Sequence, residues 1–144
     1  MSKRNRTGDL EEIFEILVTS YAQKGGVIPG ESDMCWRPAT DAYETAEHFI
    51  VQVDLAGMDP AQIEVLADKN SLVVRGIRQE SSVPGKKHFH KMEINVGPFI
   101  RKIPIAVEVD PASATAEYRS GFLYVTFVRG SGRSNDRRQI TIIR

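Results

Sequence analysis

An all-β antiparallel sandwich or barrel is the fold the sequence predicts for residues 36–128, and three observations carry that expectation. Short apolar stretches alternate with period two, as in His-Phe-Ile-Val-Gln-Val-Asp at 48–54, which puts every second side chain on one face of a strand. Turn residues punctuate these stretches at intervals of about ten positions, the rhythm of a sandwich. No helical period interrupts them, which argues against a parallel sheet with crossover helices.

Three regions follow from the pattern: an N-terminal arm (1–35), the β-sandwich (36–128) and a C-terminal extension (129–144). In the arm, Leu10, Ile13, Phe14, Leu17 and Tyr21 recur at helical spacing and form one apolar stripe. Asp9 can cap such a helix with Glu12 as its reciprocal partner, and Gly25-Gly26 ends it. A lone amphipathic helix of about 15 residues is marginal in water. It needs a surface, either on its own domain, between subunits or on foreign apolar material, and the sequence leaves these open.

Within the sandwich, the segment 62–66 reads as a strand, 68–71 as a turn and 72–76 as the next strand. The run 100–109 reads as one strand in which Pro104 marks an edge or a bulge. The segments 115–118 and 122–128 form a hairpin around Arg119-Ser-Gly121. Between the strands at 72–76 and 100–109, the polar excursion 79–91 is long for a hairpin loop, and long loops usually carry function or lack order. The extension opens with a Gly/Ser/Arg linker at 130–136. Ile140 and Ile142 then share one face of an extended segment, a geometry suited to insertion beside a sheet edge.

The composition excludes several functions. Formal net charge is zero, with 41% apolar and 26% charged residues, a soluble balance with no pull toward a polyanion. Basic residues cluster at both ends, but no stacking aromatics interleave with them as a nucleic-acid surface would require. No stretch approaches the ~20 apolar residues of a membrane span. The single cysteine, Cys35, cannot form an internal disulfide and fits a reducing cytoplasm. Pro84-Gly-Lys-Lys lacks the glycine and the strand–loop–helix context of a phosphate loop. His88 and His90 share a face if extended, but no further metal ligands accompany them. The expectation is a binding protein with no catalytic residues, no metal and no cofactor.

Several segments resemble, in order and spacing, the α-crystallin domain of small heat-shock proteins. Trp36-Arg-Pro-Ala-Thr-Asp41 is similar to the start of that domain, and Asp54-Leu-Ala-Gly57 to its Asp-Leu-Pro-Gly turn. Leu72-Val-Val-Arg-Gly76-Ile-Arg78 resembles its Leu-x-Ile-x-Gly-x-Arg strand. Gly97-Pro-Phe99-Ile-Arg101 and Ala116-Glu-Tyr-Arg-Ser-Gly121-Phe-Leu123 resemble two further signatures, and Ile140-Thr-Ile142 the terminal Ile-x-Ile. Ala56 and Ala106 stand where the family has proline.

The resemblance implies an immunoglobulin-like antiparallel β-sandwich and a stress-response chaperone. Such a protein would be an ATP-independent holdase, cytoplasmic, working as an exchanging homo-oligomer of dimers with partly unfolded clients as partners. It implies that Ile140 and Ile142 plug a groove whose lips are Ile63, Val65, Ala114 and Ala116. It also implies dimerisation by strand exchange: the loop stretch with His88, Phe89 and His90 would reach the partner's first strand around Asp41 and Tyr43, with Arg101 beside it. The arm stripe would bind clients. Sandwich proteins of other kinds fit less well. A CS-domain co-chaperone usually lacks the long loop and the plug, and an immunoglobulin-like adhesion module would carry paired cysteines or a secretion signal.

Overall fold

The computed structural model describes residues 35–80, 83–131 and 136–144. The arm residues Leu10, Ile13, Phe14, Leu17 and Tyr21 lie outside them. Among the described residues, nine strands run in chain order: β1 (Thr40–Glu44), β2 (His48–Asp54), β3 (Ile63–Ala67), β4 (Ser71–Arg78), β5 (Gly97–Pro104), β6 (Val109–Arg119), β7 (Phe122–Arg129), β8 (Arg138–Gln139) and β9 (Ile142–Ile143). They form two sheets, one ordered β1-β2-β7-β6-β9 and the other β5-β4-β3-β8. The architecture is the all-β sandwich that the alternating segments predict. Every pairing is antiparallel except that of β6 with β9.

Period-two alternation explains the core. On β2, Phe49, Val51 and Val53 point inward opposite Phe127, Val125 and Leu123 of β7. The second sheet supplies Ile63, Val65 and Ala67 from β3, Leu72 and Val74 from β4, and Phe99 and Ile103 from β5. The hairpin joining β6 to β7 turns on Ser120 (φ 54°) and Gly121 (φ 82°). Two successive positive φ angles match the right-handed twist of the flanking strands, and a Cβ on Gly121 would press on the Ala56 backbone at 3.3 Å.

The run 100–109 is not one strand. β5 ends at Pro104 and β6 begins at Val109, in the other sheet. Pro104 has no N–H to extend the ladder, and the next amide, of Ile105, donates instead to the Asn70 carbonyl at 2.8 Å. The four residues between β5 and β6 cross from sheet to sheet. Alternation continues through the crossing, with Ile103, Ile105 and Val109 all buried, so the hydrophobic pattern alone gives no sign of the break.

Tyr118 fastens the loop after β2 to the hairpin. Its hydroxyl donates to the Leu55 carbonyl (2.8 Å) and accepts from the Met58 amide (3.2 Å). Tyr118→Phe keeps the ring but leaves both groups unpaired, and a stability loss of about 1–2 kcal/mol is expected. Urea denaturation checks this. The midpoint should fall at unchanged slope, and a midpoint equal to that of the parent protein would count against it.

Candidate interaction surfaces

The two sheets leave four edges, and the sequence treats them differently. β3 and β6 lie at adjacent edges of the two sheets, and the C-terminal tail spans both. Arg138 and Gln139 pair antiparallel with Ala67 and Leu66, and the Ile140 amide donates to the Val65 carbonyl at 2.9 Å. The chain then crosses the gap, and Ile142 and Ile143 pair in parallel with Ala116 and Glu117. Ile140 is only 8% exposed and belongs to the core cluster, with Ile142 packed against its margin. A hydrophobic side chain entering between two sheets completes a core that their edges leave open.

Of the sequence-predicted groove residues, Val65 accepts the Ile140 amide and Ala116 is the register partner of Ile142. Ile63 is buried two positions before Val65, and Ala114 is half-buried against the core. Pro111, Ala112 and Thr115 also line the groove, with Arg138 and Gln139. The sequence reading did not select these, although Arg138-Gln139-Ile140 continues the period-two pattern and could have extended the tail strand backward. An exposed ion pair, Arg144 to Asp59 at 3.4 Å, lies at the end of the tail, and such pairs contribute little. The structure seats the tail in the chain's own groove.

On the far side, β1 pairs with β2 along one edge, and its other edge has no strand partner among the described residues. Asp41 and Tyr43 lie on β1, both exposed. An unpaired edge is a row of free backbone donors and acceptors. β5 is the corresponding edge of the second sheet. Trp36 covers its start: the amide donates to the Pro98 carbonyl (3.1 Å), the indole Nε1 to the Gly97 carbonyl (3.0 Å), and the ring lies 5.4 Å from Phe99. The Arg78 guanidinium stacks 4.2 Å above the same ring.

Residues 83–96 form no strand. Arg78 pins the end of this loop through the Asn95 carbonyl (2.8 Å from Nε) and reaches the Ala56 carbonyl (3.3 Å from Nη1). His88, Phe89 and His90 are all exposed there, as are Val83, Met92 and Ile94. The loop and the turn after β2 enclose a cleft of about 770 Å³ with a largely apolar lining that includes Val83, Phe89, Met92, Ile94 and Val96. Arg101 stands on the same side of β5 as Phe99 and Ile103, and its Nε is buried without a hydrogen-bond partner among the described residues. The residues expected to exchange strands thus occupy three separate places: β1, the loop and β5.

Two polar groups have shifted proton affinity. Burial raises the Glu64 carboxyl above its ordinary range, and this outweighs the opposing pull of Arg75, whose Nε lies 3.4 Å from Oε2. Burial likewise raises the half-buried Cys35 thiol. No group of three or more His, Cys, Asp or Glu side chains able to hold a metal ion occurs among the described residues, and no helix among them is long and apolar enough to cross a membrane.

Among the described residues, one groove is filled by an extended segment and one strand edge has no partner, and an edge of that kind can pair with another extended chain. Residues 41–143 match the Hsp20/alpha crystallin family, and the chain belongs to that family. Among relatives, it is 28% identical over 89 residues to small heat shock protein C2 of Rickettsia felis, a match covering 62% of this chain and 58% of that protein. It is 26% identical to heat shock protein 16 of Schizosaccharomyces pombe over 92% of this chain and 91% of that one. The chain spans little more than half the length of the first Rickettsia felis relative. Among solved structures, hspA of Xanthomonas axonopodis is 34% identical, with a TM-score of 0.60, over 67% of this chain and 97% of that chain. A small heat-shock protein of Xylella fastidiosa is 31% identical, with a TM-score of 0.59, over 73% and 96%.

Proposed function

We propose that this protein is an ATP-independent holdase that binds partly unfolded proteins in the cytoplasm and suppresses their aggregation, as an exchanging oligomer of dimers, without metal, cofactor or nucleic acid. The observation that carries the reading is the tail: a core residue, Ile140, is supplied by a segment tethered through a Gly/Ser linker. Twelve steps from Val128 to Ile140 reach up to about 40 Å at 3.3–3.6 Å each. The same groove is therefore within range of a neighbour's tail. Burying two isoleucines yields roughly 3–6 kcal/mol. Ordering the linker and losing rigid-body freedom offset much of that. A single plug is weak, and many tails in one assembly hold through effective concentration.

The dimer reading rests on the other side of the sandwich. The bare edge of β1 invites a strand, and the loop stretch 87–91 of a partner is the candidate to supply one. Pairing there would cover Tyr43 and Phe89, which are exposed. The Xylella fastidiosa relative is described as having a distinct high order structure, which is in keeping with assembly beyond a dimer. In this reading the arm stripe, Leu10, Ile13, Phe14, Leu17 and Tyr21, holds the client.

Heating an aggregation-prone client with and without the protein, no nucleotide added, tests the activity. Scattering should rise in the client alone and stay low in the mixture. Equal aggregation in both would overturn the reading.

A further inference from the structure

The seated tail leaves a space beside it. The tail pairs with β3 through Arg138, Gln139 and the Ile140 amide, and with β6 only at Ile142 and Ile143. The preceding half of β6 is irregular, since its ladder with β7 slips between Asp110 and Thr115, and a slip of this kind bends a strand. Between that half and the tail lies a cavity of about 280 Å³. Ala112, Ala114 and Ile140 give it an apolar wall, and Thr115, Arg138, Gln139 and Thr141 line the rest. The charge there is one-sided. Among the described residues lining the cavity, Arg138 is the sole cation and no carboxylate faces it. Asp110 and Asp136, the acids nearest in sequence, are not part of the lining, and Asp110 Oδ1 already accepts from the Ala112 amide at 3.0 Å. The Arg138 Nε is buried and has no hydrogen-bond partner among the described residues. A guanidinium offers its N–H groups in a planar fork that matches a carboxylate, and a buried N–H left unpaired is unfavourable.

We propose that this cavity binds a short aliphatic carboxylate, whose oxygens accept from the Arg138 guanidinium and whose hydrocarbon chain lies on Ala112, Ala114 and Ile140. Size limits the ligand, because the cavity falls just below the roughly 300 Å³ at which pockets for drug-sized molecules begin. The wall selects among oxyanions. A phosphate would give up its hydration against apolar surface with one cation to compensate it, whereas a carboxylate carrying a few methylenes gains by burying them. The ligand touches both β6 and the tail, so its site exists only while the tail is seated. A ligand that binds the seated state and not the undocked one stabilises the seating by mass action. The concentration of short carboxylates thereby sets how long the tail stays in its groove. This goes beyond the chaperone reading and stands without it, since the seat is part of the fold.

Sodium butyrate titrated into the full chain, at constant ionic strength against sodium chloride, tests the site by calorimetry and by hydrogen exchange. Saturable binding at one site per chain is expected. The Ile140 amide, which donates to the Val65 carbonyl, should exchange about tenfold more slowly at about ten times the dissociation constant. Butanol and inorganic phosphate should give neither effect. Arg138→Gln should weaken butyrate binding by at least about tenfold, as loss of a charged hydrogen-bond donor does. Arg137→Gln, next in the chain but outside the cavity lining, should leave it unchanged. Ala112→Leu narrows the cavity from an exposed position on β6 that pairs with no part of the tail, and it should also weaken binding. This second variant decides the matter should Arg138→Gln unseat the tail, which the Ile140 exchange rate without butyrate reports. Absence of saturable binding, equal protection by butanol or phosphate, or full affinity in Ala112→Leu would overturn the proposal.

Discussion

Replacing Ile140 and Ile142 together by alanine is expected to reduce the assembly to dimers or small species. Ile140 is a core residue by burial and Ile142 borders the core, so truncation removes most of the apolar area that seats the tail. A buried Ile→Ala change costs about 2–5 kcal/mol in a core that cannot rearrange. Here the loss is bounded differently. The tail can leave the groove, so the sandwich loses no more than the net docking free energy, and the domain should remain folded. In the proposed oligomer, by contrast, a weak contact is multiplied over many tails, and weakening each one would dissolve it. Light scattering measures the outcome. A particle as large as that of the parent protein would contradict the role given to the tail.

Gly76→Ala is the second large effect, and it acts on the fold. Gly76 does not need the freedom of glycine: its φ is ordinary and its strand regular. It needs the space. A Cβ there would fall 2.1 Å from the Gln62 carbonyl oxygen and 3.1 Å from both the Gln62 carbonyl carbon and the Phe99 ring. A backbone oxygen just before β3 cannot swing aside as a side chain can, so β3, the strand the tail docks on, must shift. Overpacking against backbone lies at the upper end of the usual range, about 3 kcal/mol, which lowers the melting temperature by on the order of 10–20 °C for a domain of this size. Gly57→Ala is the control. Gly57 has φ +74° but nothing within 4 Å of the added methyl, so only backbone strain of about 1–2 kcal/mol is expected. Calorimetry of the two variants should rank them in that order, and equal melting temperatures would refute the steric account.

The strands were legible where one face meets the core and the other does not. β2 and β7 read directly as alternating segments, and the turn between β6 and β7 reads from Ser-Gly. β3 and β4 were legible as strands, but their burial on both faces was not. Glu64 and Arg75 look like solvent-facing members of alternating strands, and only the structure shows them buried as a pair. Pro104 was legible as an interruption, not as the point where the chain changes sheet. Ile105 and Val109 keep the alternation going on either side, and a change of partner leaves no mark on a pattern of apolar positions.

The candidate site divides in the same way. That Ile140 and Ile142 form an apolar pair behind a Gly/Ser/Arg-rich stretch is a property of the chain, readable from spacing and composition. Which groove they enter is not, because a tethered plug can reach its own lips and a neighbour's alike. The tertiary structure decides that Val65 presents its carbonyl to Ile140 and that Ala116 faces Ile142, since both depend on how two sheets distant in sequence are brought edge to edge. Alternation and turn chemistry are local, and by themselves they determined an all-β sandwich followed by an apolar tail pair. Edge pairing and the space around Gly76 depend on long-range packing, and only the folded chain decided them.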